Sequence, residues 1–116
     1  MNLRMIIALV NDSKTKKIMD AARDAGATGA TILNGARGEG LKPEKTFLGL
    51  DLAAQRDLVL FLVAAPMARP ILEAIAEAGH FDSEPGAGIA VEIGIDDAVG
   101  LTTQLPTLLE EVDSKI

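Results

Sequence analysis

The spacing of hydrophobic residues changes along the chain, and each change predicts an element of secondary structure. Residues 5–10 (MIIALV) form a continuous apolar run rich in β-forming residues, which predicts a buried strand. The Asn-Asp-Ser triplet after this run carries side-chain oxygens that can cap a helix. Apolar residues then recur at helical spacing as far as Gly26, where a left-handed residue can end the helix. The chain therefore begins with a predicted strand and a predicted helix.

The same order of elements returns further along. Residues 30–33 (ATIL) and 57–64 (DLVLFLVA) predict a second and a third strand. A second helix is predicted from Pro70, near the start of another apolar pattern, to Gly79 as its terminator. Residues 89–95 (IAVEIGI) alternate between isoleucine or valine and small or polar residues, which predicts a half-buried fourth strand.

The order βαββαβ predicts an α+β fold, a ferredoxin-like sandwich in which both helices lie on one face of a four-stranded antiparallel sheet. The first and third strands are apolar on both sides, so the face without helices also needs cover. Burial against other copies of the chain is the simplest solution, and we expect a homo-oligomer. Residues 1–116 are expected to form one domain, since 48% of the chain is hydrophobic.

Composition excludes several classes of function. A net charge of −6 and the absence of Tyr and Trp argue against nucleic-acid binding. Zero cysteines and one histidine leave no thiolate nucleophile, no Cys-based zinc site and no histidine cluster, and no nucleophile stands with a base, so we expect no enzyme. The longest apolar run is too short to cross a bilayer and no signal peptide is seen, so we expect a cytoplasmic protein that does not span the membrane.

The connection between the second and third predicted strands, residues 35–56, is the strongest functional signal in the chain. Hairpin connections normally need about two to five residues, and much longer ones are usually functional or disordered. Two interpretations of its glycines stay open: backbone amides that approach an anionic ligand, or mobility at the root of the loop. Its four basic residues outnumber its three acidic ones, in an otherwise acidic chain: Arg37, Lys42, Lys45 and Arg56 against Glu39, Glu44 and Asp51.

Three segments together resemble one known family, the PII signal-transduction proteins and their PII-like relatives. Residues 25–32 (AGATGATI) resemble the family's junction between the first helix and the second strand. Asn34 and Gly35 stand where the family's long T-loop leaves that strand, and residues 83–91 (SEPGAGIAV) resemble its B-loop. The resemblance covers most of the chain.

The resemblance implies a homotrimer with three clefts between subunits, each built from the T-loop base and B-loop of one subunit and a C-terminal loop of the next. It implies a small effector in these clefts, an adenine nucleotide or a small anion such as bicarbonate, and a T-loop that engages a membrane transporter or a metabolic enzyme. The implied ligand-binding residues are Gly35, Ala36, Arg37, Gly38, Pro85, Gly86, Ala87 and Gly88. The implied partner-binding residues are Lys42, Lys45, Phe47 and Leu48.

The chain departs from the family pattern in three places. Ala87 and Ile89 stand where the family's B-loop has Asp and Lys. Residues 100–104, the C-terminal loop, lack the two arginines that reach the phosphates in typical members. The loop contains no Tyr, which excludes uridylylation there. A second hypothesis is therefore a trimeric interaction module that binds no ligand and uses the loop as a constitutive binding arm. A third is an amino-acid-binding ACT-type or metal-binding CutA-type relative of the same fold.

Two further features each allow two interpretations. Lys14, Lys16 and Lys17 open the first helix and form either an anion or partner patch or a solvated face. His80 either responds to pH or a ligand, or is a surface or capping residue.

Overall fold

A computed structural model describes residues 2–37, 46–47, 50–51, 55–103 and 105–115. It is an α+β fold with one four-stranded antiparallel sheet. The elements in chain order are β1 (Leu3–Asn11), a 3₁₀ turn (Asp12–Lys14), α1 (Thr15–Asp24), β2 (Thr31–Ala36), β3 (Thr46–Phe47), β4 (Leu50–Asp51), β5 (Arg56–Ala64), α2 (Ala65–Gly79), β6 (Gly88–Gly94) and α3 (Leu105–Lys115).

The strands are arranged in the order β2-β5-β1-β6, which confirms the predicted ferredoxin-like topology. The central pair, β1 and β5, is antiparallel along its whole length, from Leu3 opposite Ala64 to Asn11 opposite Arg56. The short strands β3 and β4 pair only with each other, within the connection from β2 to β5. Phe47 and Leu50 therefore lie in strands rather than in a helix.

The hydrophobic core lies between the helices and one face of the sheet. Because side chains alternate along a strand, every second residue of β1 and β5 points to the same face. The core residues of the strands are Ile6, Ala8, Val10, Val59, Phe61 and Val63, and those of the helices include Ile18, Ala22, Met67, Ile71 and Ile75. Each large aliphatic or aromatic side chain buried here contributes roughly 1.5–3 kcal/mol.

The opposite sheet face carries the other apolar residues of the strands, and we call it the open face. Val91 is 44% exposed and lies opposite Ile7, which also lies opposite Leu60. Leu108 of α3 is buried and borders a groove with Leu60 and Leu62 at the β5 side of this face. Ten of the apolar residues that the register assigns to the open face are Met5, Ile7, Leu9, Leu33, Leu58, Leu60, Leu62, Ile89, Val91 and Ile93.

The second helix begins earlier than predicted. It starts at Ala65, with Pro66 in its first turn, and Pro70 lies inside it. Proline is tolerated in the first turn because those N–H groups have no intrahelical acceptor, so Pro66 was the informative proline. Pro70, inside the helix, removes one backbone hydrogen bond. At the start of the helix, the N–H of Ala65 donates to the carbonyl oxygen of Asn2 at 2.9 Å.

The end of α2 also differs from the prediction. His80, at φ 56° and ψ 39°, holds the left-handed position that was expected of Gly79. Gly79 is the last residue of the helix and is buried, and the ring of Phe81 packs where a Cβ at residue 79 would lie. The glycine is therefore needed for space rather than for its backbone angles.

Gly79→Ala is expected to destabilise the protein by about 1–3 kcal/mol, because the added methyl overlaps the ring of Phe81 and approaches Ile18. Urea unfolding measures the change. Gly29→Ala is the matched control, since nothing lies within 4 Å of its Cβ position. Equal unfolding midpoints for the two variants would show that Phe81 moves away without cost.

Candidate functional site

The two predicted halves of the ligand site lie at the same end of the sheet. Ala36 of β2 is opposite Arg56 of β5, which is opposite Asn11 of β1. At the other edge of this end, Gly88 of β6 is opposite Val10. Three strand spacings separate β2 from β6, so the two halves are about 14 Å apart within one chain.

The first half of the site begins in a strand rather than in a loop. Strand β2 continues past its predicted end at residue 33, and its pairing with β5 shifts by one residue between Asn34 and Ala36. Gly35 is the extra residue of this bulge, at φ +77°. A Cβ there would meet nothing within 4 Å, so the backbone angle alone requires glycine. The bulge redirects the chain as it leaves the sheet.

The remaining predicted residues of this half are described only in part. Ala36 is half-buried and Arg37 is exposed. Gly38, Lys42, Lys45 and Leu48 lie outside the described residues. Phe47 belongs to β3, where its backbone is opposite Leu50.

The second half of the site is a tight turn, Glu84 to Ala87, which we call the Pro-Gly turn. The N–H of Ala87 donates to the carbonyl oxygen of Glu84 at 3.2 Å, and Gly86 has φ +76°. Pro85 and Gly86 therefore occupy the two central positions that define a type II turn. Pro85 is exposed, Ala87 is buried, and only the backbone of this turn is suited to contact a ligand.

Gly88 follows the Pro-Gly turn and is the first residue of β6. A Cβ at this position would lie 2.6 Å from the ring of Phe81 and 2.9 Å from the carbonyl oxygen of Leu9. Glycine is therefore the residue that allows the turn to pack closely on β1.

A buried polar contact fixes the start of β5, where the long connection ends. Arg56 is only 2% exposed and Asp57 is buried. The hydroxyl of Thr15 donates to Oδ2 of Asp57 at 2.6 Å, and the N–H of Asp12 donates to the carbonyl oxygen of Gln55 at 3.1 Å. The root of the connection is thus attached to the first residues of the helical segment.

Sequence reasoning missed this contact. Thr15 and Asp57 were assigned no role, and Arg56 was counted only among the basic residues of the connection. The sequence does contain a signal for it, because the charged pair Arg56-Asp57 stands directly before an uninterrupted apolar strand. Charged residues next to such a strand are expected to be partly buried with it.

The three lysines of α1 and the preceding turn do not act as one group. Lys16 pairs with Asp20 at 3.1 Å on the exposed helix face, as one interpretation proposed. Lys14 instead donates to two groups that are distant in the sequence, the carbonyl oxygen of Gly79 at 2.8 Å and Oε2 of Glu84 at 2.6 Å. For Lys14 the solvated-face interpretation is therefore wrong.

The contact with Lys14 changes the pKa of Glu84. The hydrogen bond from Lys14 and the charge of Lys14 lower the pKa of Glu84 below its ordinary value of 4.5, and the nearby charges of His80 and Lys17 act in the same direction. His80 is the capping residue of α2, in agreement with the second of its two interpretations.

The pKa of Glu84 is expected to rise toward 4.5 in Lys14→Met, because its largest stabilising partner is lost. A carboxyl whose pKa is lowered by folding stabilises the protein above its unfolded pKa. That contribution disappears as the pH falls through the folded value. Titration of the Glu84 carboxyl by NMR measures the shift. Lys16→Met is the matched control, and an unchanged pKa in Lys14→Met would contradict the assigned contact.

Two other grooves lie outside the predicted site. One, of about 510 Å³, lies at the opposite end of the sheet and includes Asn2, Val99 and residues 100–102. The other, also of about 510 Å³, lies between α1 and β2 and has an apolar floor that includes Met19, Ile32 and Phe61.

The described part of the chain holds no group of three or more His, Cys, Asp and Glu side chains that could bind a metal ion. Within the same residues, no helix is both long enough and apolar enough to cross a membrane.

Comparison with known proteins gives a consistent result. The family model of nitrogen regulatory protein P-II matches residues 3–104. No curated protein sequence matches the chain.

Among solved structures, a PII-like signalling protein from Thermus thermophilus is 23% identical with a TM-score of 0.60, over 82% of this chain and 87% of that one. CPII from Thiomonas intermedia, bound to ADP, AMP and acetate, is 18% identical with a TM-score of 0.60, over 83% of this chain and 90% of that one. The same protein bound to ADP and bicarbonate is 17% identical with a TM-score of 0.57, over 84% of this chain and 91% of that one. At these identities the likeness shows a shared fold.

Proposed function

Because the chain belongs to the family of nitrogen regulatory protein P-II, a family of signalling proteins, we propose that it is an effector-binding regulator. The effector is an adenine nucleotide or a small anion, and the chain regulates a partner protein through residues 35–56. The observation that supports the proposal is that the Gly35 bulge and the Pro-Gly turn lie at the same end of the sheet, as does the root of that connection.

The cleft is completed by a second subunit. Within one chain, residues 100–102 border the groove at the far end of the sheet, roughly 20 Å from the Pro-Gly turn by the length of β6. A C-terminal loop can therefore reach that turn only from another copy. The open face supports the homotrimer that is typical of the family, because ten apolar residues on one sheet face form a patch that assembly would cover.

The chemistry of the site favours an effector that carries less negative charge than ATP. Ala87 is buried and Ile89 is apolar, so the Pro-Gly turn supplies backbone groups and no cation. ADP, AMP or bicarbonate therefore fits better than ATP, and the structural neighbours bound to ADP, AMP and bicarbonate support this class. The ligand contacts are Gly35, Ala36, Arg37, Gly38, Pro85, Gly86, Ala87 and Gly88.

Regulation follows from where the effector binds. A ligand that contacts Arg37 and the Gly35 bulge binds more tightly when the connection is ordered, and this difference in affinity shifts the population toward the ordered form. Lys42, Lys45, Phe47 and Leu48 then contact the partner, a membrane transporter or a metabolic enzyme. The protein is cytoplasmic and catalyses no reaction of its own.

Isothermal titration calorimetry against ADP, AMP, ATP, cyclic nucleotides and bicarbonate tests the proposal. ADP or AMP binding at about one site per chain, with weaker heat from ATP, is the expected result. No heat from any of these compounds would contradict it.

The second candidate function is a ligand-free interaction module, favoured by the buried Ala87 in place of a charged residue. It is distinguished by limited proteolysis of residues 35–56. In the module the cleavage rate stays the same with every compound, whereas in the regulator the bound effector slows it.

A further inference from the structure

The side chain of Lys14 contacts two residues that are distant in the sequence, and one of them belongs to the Pro-Gly turn. Lys14 belongs to the 3₁₀ turn between β1 and α1, and its two acceptors are 65 and 70 residues away in the sequence. Its side chain is only 18% exposed, although lysine is normally a surface residue. The short distances and the burial of the Lys14 side chain indicate a built contact, in which the side chain of Glu84 stays 56% exposed.

The two acceptors of Lys14 lie at either end of one short connection. The carbonyl oxygen of Gly79 belongs to the last residue of α2, where the helix dipole favours a cation. The carboxylate of Glu84 belongs to the first residue of the Pro-Gly turn. A single ammonium group therefore spans the whole segment from the end of α2 to the turn.

Glu84 passes this constraint to the turn through its backbone. Its N–H donates to the carbonyl oxygen of His80 at 2.9 Å, and its own carbonyl oxygen accepts the N–H of Ala87 at 3.2 Å. The residue that Lys14 holds by its side chain is thus the residue that closes the turn by its main chain. Movement of Glu84 would move both ends of the turn together.

We propose that Lys14 is the positioning residue of the Pro-Gly turn, holding residues 84–87 against the 3₁₀ turn and the end of α2 in the orientation in which their backbone forms the cleft wall. The effect on the turn is independent of any ligand, whereas its consequence for effector affinity rests on the proposed function. Lys14 does not need to touch the effector, because it acts through Glu84.

Hydrogen exchange in the effector-free protein tests the positioning directly. In Lys14→Met the amide of Ala87 is expected to exchange about 5-fold faster or more, because the turn opens locally. In Lys16→Met, which removes only the exposed pair with Asp20, it should stay within about 2-fold of the unmodified protein. Lys14→Arg, which keeps a cation with several donors, should restore most of the protection.

Core amides distinguish positioning from general stability. The amides of Ala8 and Val59, in the central strands, are expected to exchange at the same rate in Lys14→Met as in the unmodified protein. Equal acceleration of Ala87 and of these strand amides would overturn the proposal, as would an unchanged Ala87 rate.

Calorimetry with ADP tests the functional consequence separately. Lys14→Met is expected to weaken ADP binding by about 5–10-fold, while Lys16→Met leaves it unchanged. If the unmodified protein binds no ADP, ADP is excluded as the effector, but the exchange rates of Ala87 still decide the role of Lys14. Full ADP affinity in Lys14→Met together with fast exchange at Ala87 would overturn the link between turn and cleft.

Discussion

Replacement of Val91 by aspartate is expected to dissociate the protein into single chains. Val91 lies in the open face opposite Ile7, and its side chain is 44% exposed in one chain. Assembly through this face would bury the new carboxylate against apolar residues, which costs several kcal/mol per subunit. Light scattering after gel filtration should give three times 12.1 kDa for the unmodified protein and 12.1 kDa for the variant.

Ile32→Asp is the matched control for this experiment. Ile32 is 40% exposed, much like Val91, but it lies opposite Val59 on the helix face of the sheet, so the same charge is introduced without touching the open face. The control should keep the mass of the unmodified protein. A trimer that survives Val91→Asp would show that the open face is not the assembly surface.

Phe61→Ala is expected to cost about 3–5 kcal/mol of unfolding free energy, a larger loss of stability than that expected for Gly79→Ala. Phe61 is 2% exposed, lies opposite Ile6 in the centre of the sheet, and belongs to the core beneath the helices. Removal of its ring leaves a cavity among the core residues, beneath the groove between α1 and β2. Urea unfolding followed by circular dichroism measures the loss.

Phe61→Leu keeps most of the volume and should cost about 1.5 kcal/mol or less, so it remains measurable if the alanine variant does not fold. Phe81→Ala is a further comparison, because that ring is only half-buried. A cost below about 1 kcal/mol for Phe61→Ala would contradict the assigned packing.

The fold could be predicted from the sequence because its signals are local. The apolar run at residues 5–10 and the alternation at 89–95 depend only on the two-residue period of a strand, and the structure confirms both strands. The start of α2 was predicted wrongly because Pro70 was taken as the helix start, while Pro66 fills that role. The left-handed residue was predicted at Gly79 because glycine commonly takes that backbone conformation. The sequence does not show that Gly79 instead makes room for the ring of Phe81, because that contact depends on packing.

The candidate site could be predicted only where the backbone itself demands a residue type. Gly35 and Gly86 both have positive φ, a requirement that glycine satisfies and that a sequence reveals. The partners of Lys14 could not be predicted in this way, because its acceptors lie 65 and 70 residues away in the sequence, at the end of α2 and in the Pro-Gly turn. The position of an effector relative to these groups stays a prediction.

An NMR titration of the labelled protein with ADP locates the effector most directly. Backbone amide shifts should change at Gly35, Ala36 and Arg37 and at Gly86 to Gly88, the two segments at one end of the sheet. Amides bordering the groove between α1 and β2, such as those of Met19 and Gly29, should not change. Shifts confined to that groove, or no shifts with ADP, AMP or bicarbonate, would contradict an effector cleft at the Pro-Gly turn.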